Sequence, residues 1–352
     1  MSFKIPVDDL LKEFSNYYKR MEIQIDYIDS LDSKYFLDES SIEELKKMYP
    51  EIYEQIPLNK LRIIQNVTFR QDVVEPLLNS MDGSEKEKLE NIWVSFLPIS
   101  SINAKSLHVP NTKIPTIILY DKVLGALHFY AESYLIAREL EKIDARIENN
   151  FLKYSVRVIL DYLQKKRHDI PLYHLPYKIK ERAALWATAQ EVFIVAHEFA
   201  HIYLNHLETS KSDRLIWDGK KINVKEFTYD QQQEFEADLQ AFRWIMNLKK
   251  QDLDNSLLAF IKNIGVSAEI FIFFHIIEEN LKEISTTHPA SKDRLRYIYE
   301  NIKDEISKEE REFIESMFQS IDLGFDIKDF KISKESEDFL NLMVNNIKYD
   351  II

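Results

Sequence analysis

Apolar positions recur at three- and four-residue spacing along most of the chain, the period of a helix with one face turned inward. Asp8 to Tyr18, Ser40 to Met48 and Glu85 to Phe96 carry that spacing, and Ser40-Ser41-Ile42-Glu43-Glu44 reads as a capped helix start. Asn111 to Lys113 reads as a connector. The period then breaks. Ile114-Pro115-Thr116-Ile117-Ile118-Leu119-Tyr120 is rich in β-branched residues and predicts a strand, with Pro115 suiting a strand start or an edge position. Helices resume at Gly125 to Asn149 and at Phe151 to Lys166. After a loop at Pro171 to Pro176, a long helix is predicted from about Lys178 to Leu207, without Gly or Pro, and another from about Asp230 to Lys249. Leu257 to Ile277 is the most apolar region. Lys262, Asn263, Glu269 and His275 interrupt it, so it reads as a buried helix rather than a span, which needs about 20 predominantly apolar residues. Pro289 breaks the chain, and helix follows to the end.

These elements predict a mainly α fold with a small β-sheet, the α+β class. They divide into a helical N-terminal region (1–110), a core (111–300) and a C-terminal helical segment (301–352). Composition agrees that a core can form: of 352 residues, 45% are hydrophobic and 30% charged. Lys plus Arg number 46 and Asp plus Glu 59, a net charge of −13, which argues against a nucleic-acid partner. There is no cysteine, which removes disulfides, Cys nucleophiles and Cys-ligated zinc and fits a reducing compartment. The five glycines, at 83, 125, 219, 265 and 324, do not cluster, which excludes a P-loop or dinucleotide fingerprint. Asp8 and Asp9 stand where a signal peptide would carry its apolar stretch. The expectation is a soluble, cytoplasmic protein without a membrane span. Nothing in the pattern sets its oligomeric state.

Chemistry enters at His197-Glu198-Phe199-Ala200-His201. Two histidines at i and i+4 project from one face of a helix and can both ligate one Zn2+ ion, and Glu198 can reach a water at that ion as general base. The flanks are almost all apolar, so the helix is buried, and a buried His-Glu-His set is costly without partners. Catalytic zinc usually keeps three protein ligands. Position 204 is Leu and position 207 is Leu, so the metzincin continuation is absent. The next acidic helix offers Glu234-Phe235-Glu236-Ala237-Asp238. Glu234 and Asp238 share a face and Glu236 points roughly the other way. Glu234 can therefore be the third ligand, with Asp238 accepting the free N–H of a ligand imidazole; Glu236 remains the alternative. His108, His128, His168, His174 and His275 read as packing or surface residues, and Trp186, Trp244, Phe271, Phe273 and Phe274 as core.

His197-Glu198-Phe199-Ala200-His201-Ile202-Tyr203-Leu204-Asn205-His206, then Glu234-Phe235-Glu236-Ala237-Asp238, then Thr287-His288-Pro289 with Arg294, resemble the gluzincin zinc peptidases of the CAAX-prenyl-protease/HtpX type. That group shows H-E-x-x-H-x-x-x-x-H, E-x-x-A-D, and T-H-P with an Arg six after the His. The likeness covers about residues 180 to 300. It implies a zincin-like metallopeptidase core with added helices, Zn2+ as cofactor and a protein or peptide substrate. It makes Glu234 the third ligand, Asp238 an outer carboxylate, His288 a stabiliser of the oxyanion, Arg294 a buried partner ordering the site, and His206 a structural residue. The chain departs from that group in lacking spanning segments, a signal and a lipidation cysteine. It also resembles the soluble ImmA/IrrE-type peptidases, in H-E-x-x-H with a downstream Glu-Ala segment, and Lit-type phage-exclusion proteases. These resemblances imply a soluble metalloendopeptidase, regulated or latent in stress or phage defence, with a regulatory protein partner. The Ile114 to Tyr120 strand would bind an extended substrate along its free edge. A rival of another class is a non-proteolytic, zinc-containing sensor or binding module of the same fold, which would keep its effect without Glu198.

Overall fold

The structure, a computed structural model, describes residues 69, 73–97, 105–108, 116–142, 145–164, 175, 177–206, 210–217, 220–227, 230–250, 264–280 and 288–323. The helices in chain order are α1 (Glu75–Asn79), α2 (Gly83–Leu89), α3 (Asp121–Glu141), α4 (Ala145–Leu163), α5 (Tyr177–Tyr203), α6 (Gln231–Lys250), α7 (Ile264–Ala268), α8 (Ile270–Asn280), α9 (Ser291–Ile302) and α10 (Lys308–Leu323). The helices predicted at Asp8 to Tyr18 and Ser40 to Met48, and the connector at Asn111 to Lys113, lie outside the described residues.

The core is organised around α5. Its 27 residues make a rod of about 40 Å. Apolar side chains surround it on all sides, and every residue from 189 to 201 is buried. A helix apolar all round belongs in the middle of a layer stack, and α5 packs on α3, α6 and α7. Phe193 of α5 meets Phe242 of α6 and Phe271 of α8, each at 5.2 Å between ring centroids. Helix α9 closes the far side against α6 and α8.

Two helix starts fix the positions that matter for the site. At the head of α6 the backbone N–H of Asp230 donates to Gln233 Oε1 at 3.0 Å, and the N–H of Gln233 donates back to Asp230 Oδ1 at 2.9 Å. This reciprocal pair satisfies donors that a helix end leaves open. At the head of α9, Ala290 offers no side-chain cap. Glu278 of α8 takes that part, accepting from Ser291 N–H at 3.1 Å.

The fold class is corrected here. The fold is mostly helical, and its helical body contains no strand or sheet; the expected α+β class, a zincin-like core built with a small β-sheet, does not hold. The apolar stripes of long helices supply the interior, so no sheet layer is needed to bury them. Short extended segments pair alongside: β1 (Trp93–Leu97), β2 (Lys105–His108), β3 (Thr116–Tyr120), β4 (Ser210–Trp217) and β5 (Lys220–Phe227). β3 pairs in parallel with β1 and antiparallel with β2. With a neighbour on each side it is not the free edge expected for substrate. Pro115, expected to suit a strand start, lies outside the described residues.

The helix predicted over Glu85 to Phe96 also divides. Asp82 and Glu85 form a capping box that starts α2 two residues earlier, and the helix stops at Leu89. Trp93, Val94 and Phe96, aromatic and β-branched, lie in β1. Leu257 to Ile277 becomes α7 and α8, parted at Glu269, with residues 257–263 outside the described set. Among the described residues, no helix is long and apolar enough to cross a membrane.

Candidate metal centre and active site

The i, i+4 spacing on α5 puts the rings of His197 and His201 side by side, 4.6 Å between centroids and perpendicular. Their Nε2 atoms stand 3.1 Å apart. Glu234, in the first turn of α6, brings Oε2 to 3.5 Å from His197 Nε2 and Oε1 to 3.7 Å from His201 Nε2. All three residues are buried, and their donor atoms lie within 4.8 Å of one another. A tetrahedral ion with bonds of about 2.0–2.1 Å requires ligand-to-ligand separations of roughly 3.4 Å. Two nitrogens and a carboxylate at these distances fit one face of such a site. This is a buried group that can hold a metal ion, and among the described residues no other cluster of His, Asp or Glu does so.

Behind these three residues stands a second layer of charge. Asp238, one turn beyond Glu234, brings Oδ1 to 2.9 Å from His197 Nδ1. Arg294 of α9 grips Asp238 with two bonds, Nε to Oδ2 at 2.7 Å and Nη2 to Oδ1 at 2.6 Å. The same Nη2 is 3.8 Å from Glu234 Oε2. His288, just before α9, brings Nδ1 to 2.9 Å from Glu234 Oε2. Burial works against every one of these charges. Even so, His197 and His288 hold the Glu234 carboxyl well below the usual carboxylate range. Arg294 and His197 likewise lower Asp238 against its burial. His197, opposed by burial but faced by Asp238 and Glu234, is raised to about 9. Burial and the neighbouring His197 push His201 well below its ordinary value. In the metal-free chain one proton on His197 thus offsets part of the carboxylate charge, and a cation among the ligands would do the same.

Glu198 follows His197 on α5, is 5% exposed, and lies within electrostatic reach of His197, Glu234 and His288. Burial raises its pKa, and a hydrogen bond from Ser106 Oγ to Oε2, 2.6 Å long, counters part of that rise. His197, Glu198, His201, Glu234, Asp238, His288 and Arg294 therefore meet in one place, brought there from three helices and the turn before α9. Glu236 does not join the ligand group. Its side chain is 44% exposed and lies 3.3 Å from His206 Nε2. Two contacts went unread in the sequence. Ser106 sits 92 positions before Glu198 on a four-residue strand and carries no motif. His206 was singled out, but not its contact with His201.

Residues 179–317 match the Peptidase U49 family. The match to Peptidase U49 supports a peptidase, a hydrolase acting on protein or peptide substrates, and it does not itself name a metal. The Peptidase U49 stretch runs from the first turn of α5 into α10 and holds all the residues of the site except Ser106. It is silent on the finer resemblances to the CAAX-prenyl-protease/HtpX, ImmA/IrrE and Lit types. No curated protein and no solved structure was found to match the chain.

Proposed function

We propose that the chain is a zinc-dependent metalloendopeptidase that cuts a protein substrate. The observation that carries this reading is the buried group of His197, His201 and Glu234 donors within 4.8 Å of one another, with Glu198 next to His197 on the same helix and electrostatically coupled to His197 and Glu234. The Peptidase U49 match supports the reaction class.

His197 Nε2, His201 Nε2 and one Glu234 oxygen would hold the zinc ion, which when bound supplies Lewis acidity to the scissile carbonyl and acidifies a water. The remaining steps belong to the chain. Ser106 fixes Glu198 Oε2, so that Oε1 is the oxygen presented to the attacking water. Glu198 accepts the water proton as the oxygen bonds to the carbonyl carbon, then delivers it to the leaving amine as the C–N bond breaks. A buried carboxyl with a raised pKa suits both halves of that transfer, since it binds the proton and gives it up readily. His288 sets Nδ1 against the Glu234 carboxylate, so for it to donate to the developing oxyanion from Nε2 the ring must carry a proton on both nitrogens. Asp238 and Arg294 hold His197 in the tautomer that leaves Nε2 unprotonated for the metal.

The test joins metal content to cleavage. The purified protein is expected to carry about one zinc per chain, to lose peptide cleavage on chelation and to recover it with zinc. Glu198→Gln should keep the zinc and lose cleavage by about a hundred- to ten-thousandfold. Undiminished cleavage by a zinc-loaded Glu198→Gln protein would end the reading.

A further inference from the structure

The end of α5 carries an arrangement that metal binding and general-base chemistry leave unused. Asn205 has φ 60, the left-handed region, and is the one non-glycine residue with positive φ among the described residues. Asn is among the few side chains that tolerate this conformation. The reversal folds the chain back under the last turn, so that His206 N–H donates to the carbonyl of His201 at 2.9 Å. His206 is thereby tucked in, 5% exposed, with Nδ1 at 3.0 Å from Nδ1 of His201. Its other nitrogen, Nε2, lies 3.3 Å from Glu236 Oε2. Glu236 is further fixed by Gln232, whose Nε2 donates to Oε1 at 2.9 Å.

The proton positions along this chain follow from one requirement. His201 Nε2 faces His197 and Glu234, where an unprotonated nitrogen is needed to ligate. A neutral imidazole with Nε2 bare carries its proton on Nδ1. His201 Nδ1–H then donates to His206 Nδ1, which must be bare to accept it. His206 therefore carries its own proton on Nε2 and donates it to the Glu236 carboxylate. Each donor meets an acceptor, and one tautomer of each ring satisfies the whole line.

We infer that His206 is a positioning residue for the metal ligand His201: an Asn205-turned, Glu236-anchored acceptor that fixes the ring and tautomer of His201. This rests on the metal reading given above. It also assigns the acidic residue two places beyond Glu234 a different part, as the anchor of an imidazole on the outer side of the site. The two ligand histidines are then oriented by separate lines of different character. His197 is backed by a buried carboxylate clamped by arginine, and His201 by a neutral ring tied to a half-exposed carboxylate.

The test is zinc affinity by competition with a chromophoric chelator, beside the thermal midpoint of the metal-free protein. His206→Ala should weaken zinc binding about ten- to a hundredfold, the usual loss when a partner behind a ligand is removed. His206→Asn, whose Oδ1 stands where Nδ1 stood and accepts the same proton, should restore most of it. Glu236→Ala, on a half-exposed side chain, should give a smaller loss of a few-fold with the metal-free midpoint unchanged. With cobalt in place of zinc, His206→Ala should also shift the visible absorption bands, because a freed His201 ring alters the ligand field. A purely structural His206 would lower the metal-free midpoint in both His206 variants and leave the zinc affinity of the folded fraction as in the wild type, and that result overturns the inference. If the wild type takes up no zinc, the metal reading falls and this inference with it. If the wild type binds and His206→Ala binds equally well, this inference alone is lost.

Discussion

Arg294 and Asp238 share two short hydrogen bonds, 2.7 and 2.6 Å, across the interface of α9 and α6, and both are buried. The bidentate geometry joins one helix to the carboxylate that backs His197 on the other. Removing one member of a buried pair leaves the other charge uncompensated, which typically costs about 3–5 kcal/mol. Arg294→Met is therefore expected to lower the unfolding free energy by that order in urea titrations of the metal-free protein. Arg294→Lys should recover little, because a single ammonium cannot make the two parallel bonds. A loss below about 1 kcal/mol for Arg294→Met would show that the pair adds little to the fold.

The carboxylates of α6 are expected to separate sharply by zinc retention during dialysis against chelator. Glu234→Ala removes an oxygen that stands 3.5 Å from His197 Nε2, and it should release zinc almost completely. Glu236→Ala leaves those donors in place and should retain most of the metal. The reverse order would show that the third ligand had been assigned to the wrong side of the helix.

Ser106→Ala removes the donor to Glu198 Oε2 without touching a ligand. Hydrogen bonds to a charged group contribute about 1.5–3 kcal/mol, so kcat should drop by roughly ten- to a hundredfold with zinc content unchanged. Ser106→Thr, which keeps the hydroxyl, should stay close to wild type. An unchanged kcat in Ser106→Ala would mean that Glu198 needs no such support.

How much of this was open to reading differs from residue to residue. His197 and His201 were legible because the four-residue step of one helix gives them a common face, Glu198 because it adjoins the first of them, and Glu234 and Asp238 because the same step repeats on the next helix. Arg294 and His288 could be named only through resemblance, since the contact of Arg294 with Asp238 spans 56 positions. Ser106 left no trace, being one hydroxyl on a short strand far upstream. The hairpin of β4 and β5 was missed, although Asp218-Gly219 between two alternating runs is a turn signal. The small sheet expected from β-branched residues at 114–120 was given too much weight in the fold class, because periodicity shows that a run is extended and says nothing of whether it forms part of the core.

A pH effect arises away from the candidate metal centre, at Glu269 between α7 and α8. Burial raises its pKa to about 8, despite a hydrogen bond from Trp186 that acts the other way. An unfolded Glu titrates near 4.3. Between those values the folded chain holds a proton that the unfolded chain has released, so this contribution to stability is full below about pH 4 and declines as pH rises toward 8. Glu269→Gln, neutral at every pH, should flatten that decline, making the variant more stable than wild type at pH 8 by an amount on the order of a few kcal/mol. Denaturation midpoints of both proteins at pH 5 and pH 8 would measure it, and parallel pH profiles would refute it.

The reciprocal bonds between Asp230 and Gln233 lie at the water-facing head of α6, and Glu234 is the very next residue. An ion held by Glu234 and the two histidines of α5 would be a rivet through the first turn of one helix into the last turns of another. Riveted, that turn cannot unwind without letting go of the ion, and the ion cannot leave without some slackening of that turn. The pace of metal exchange would then be set by the breathing of an exposed helix end, and loosening Asp230 at the surface would hasten exchange without altering His197, His201 or Glu234.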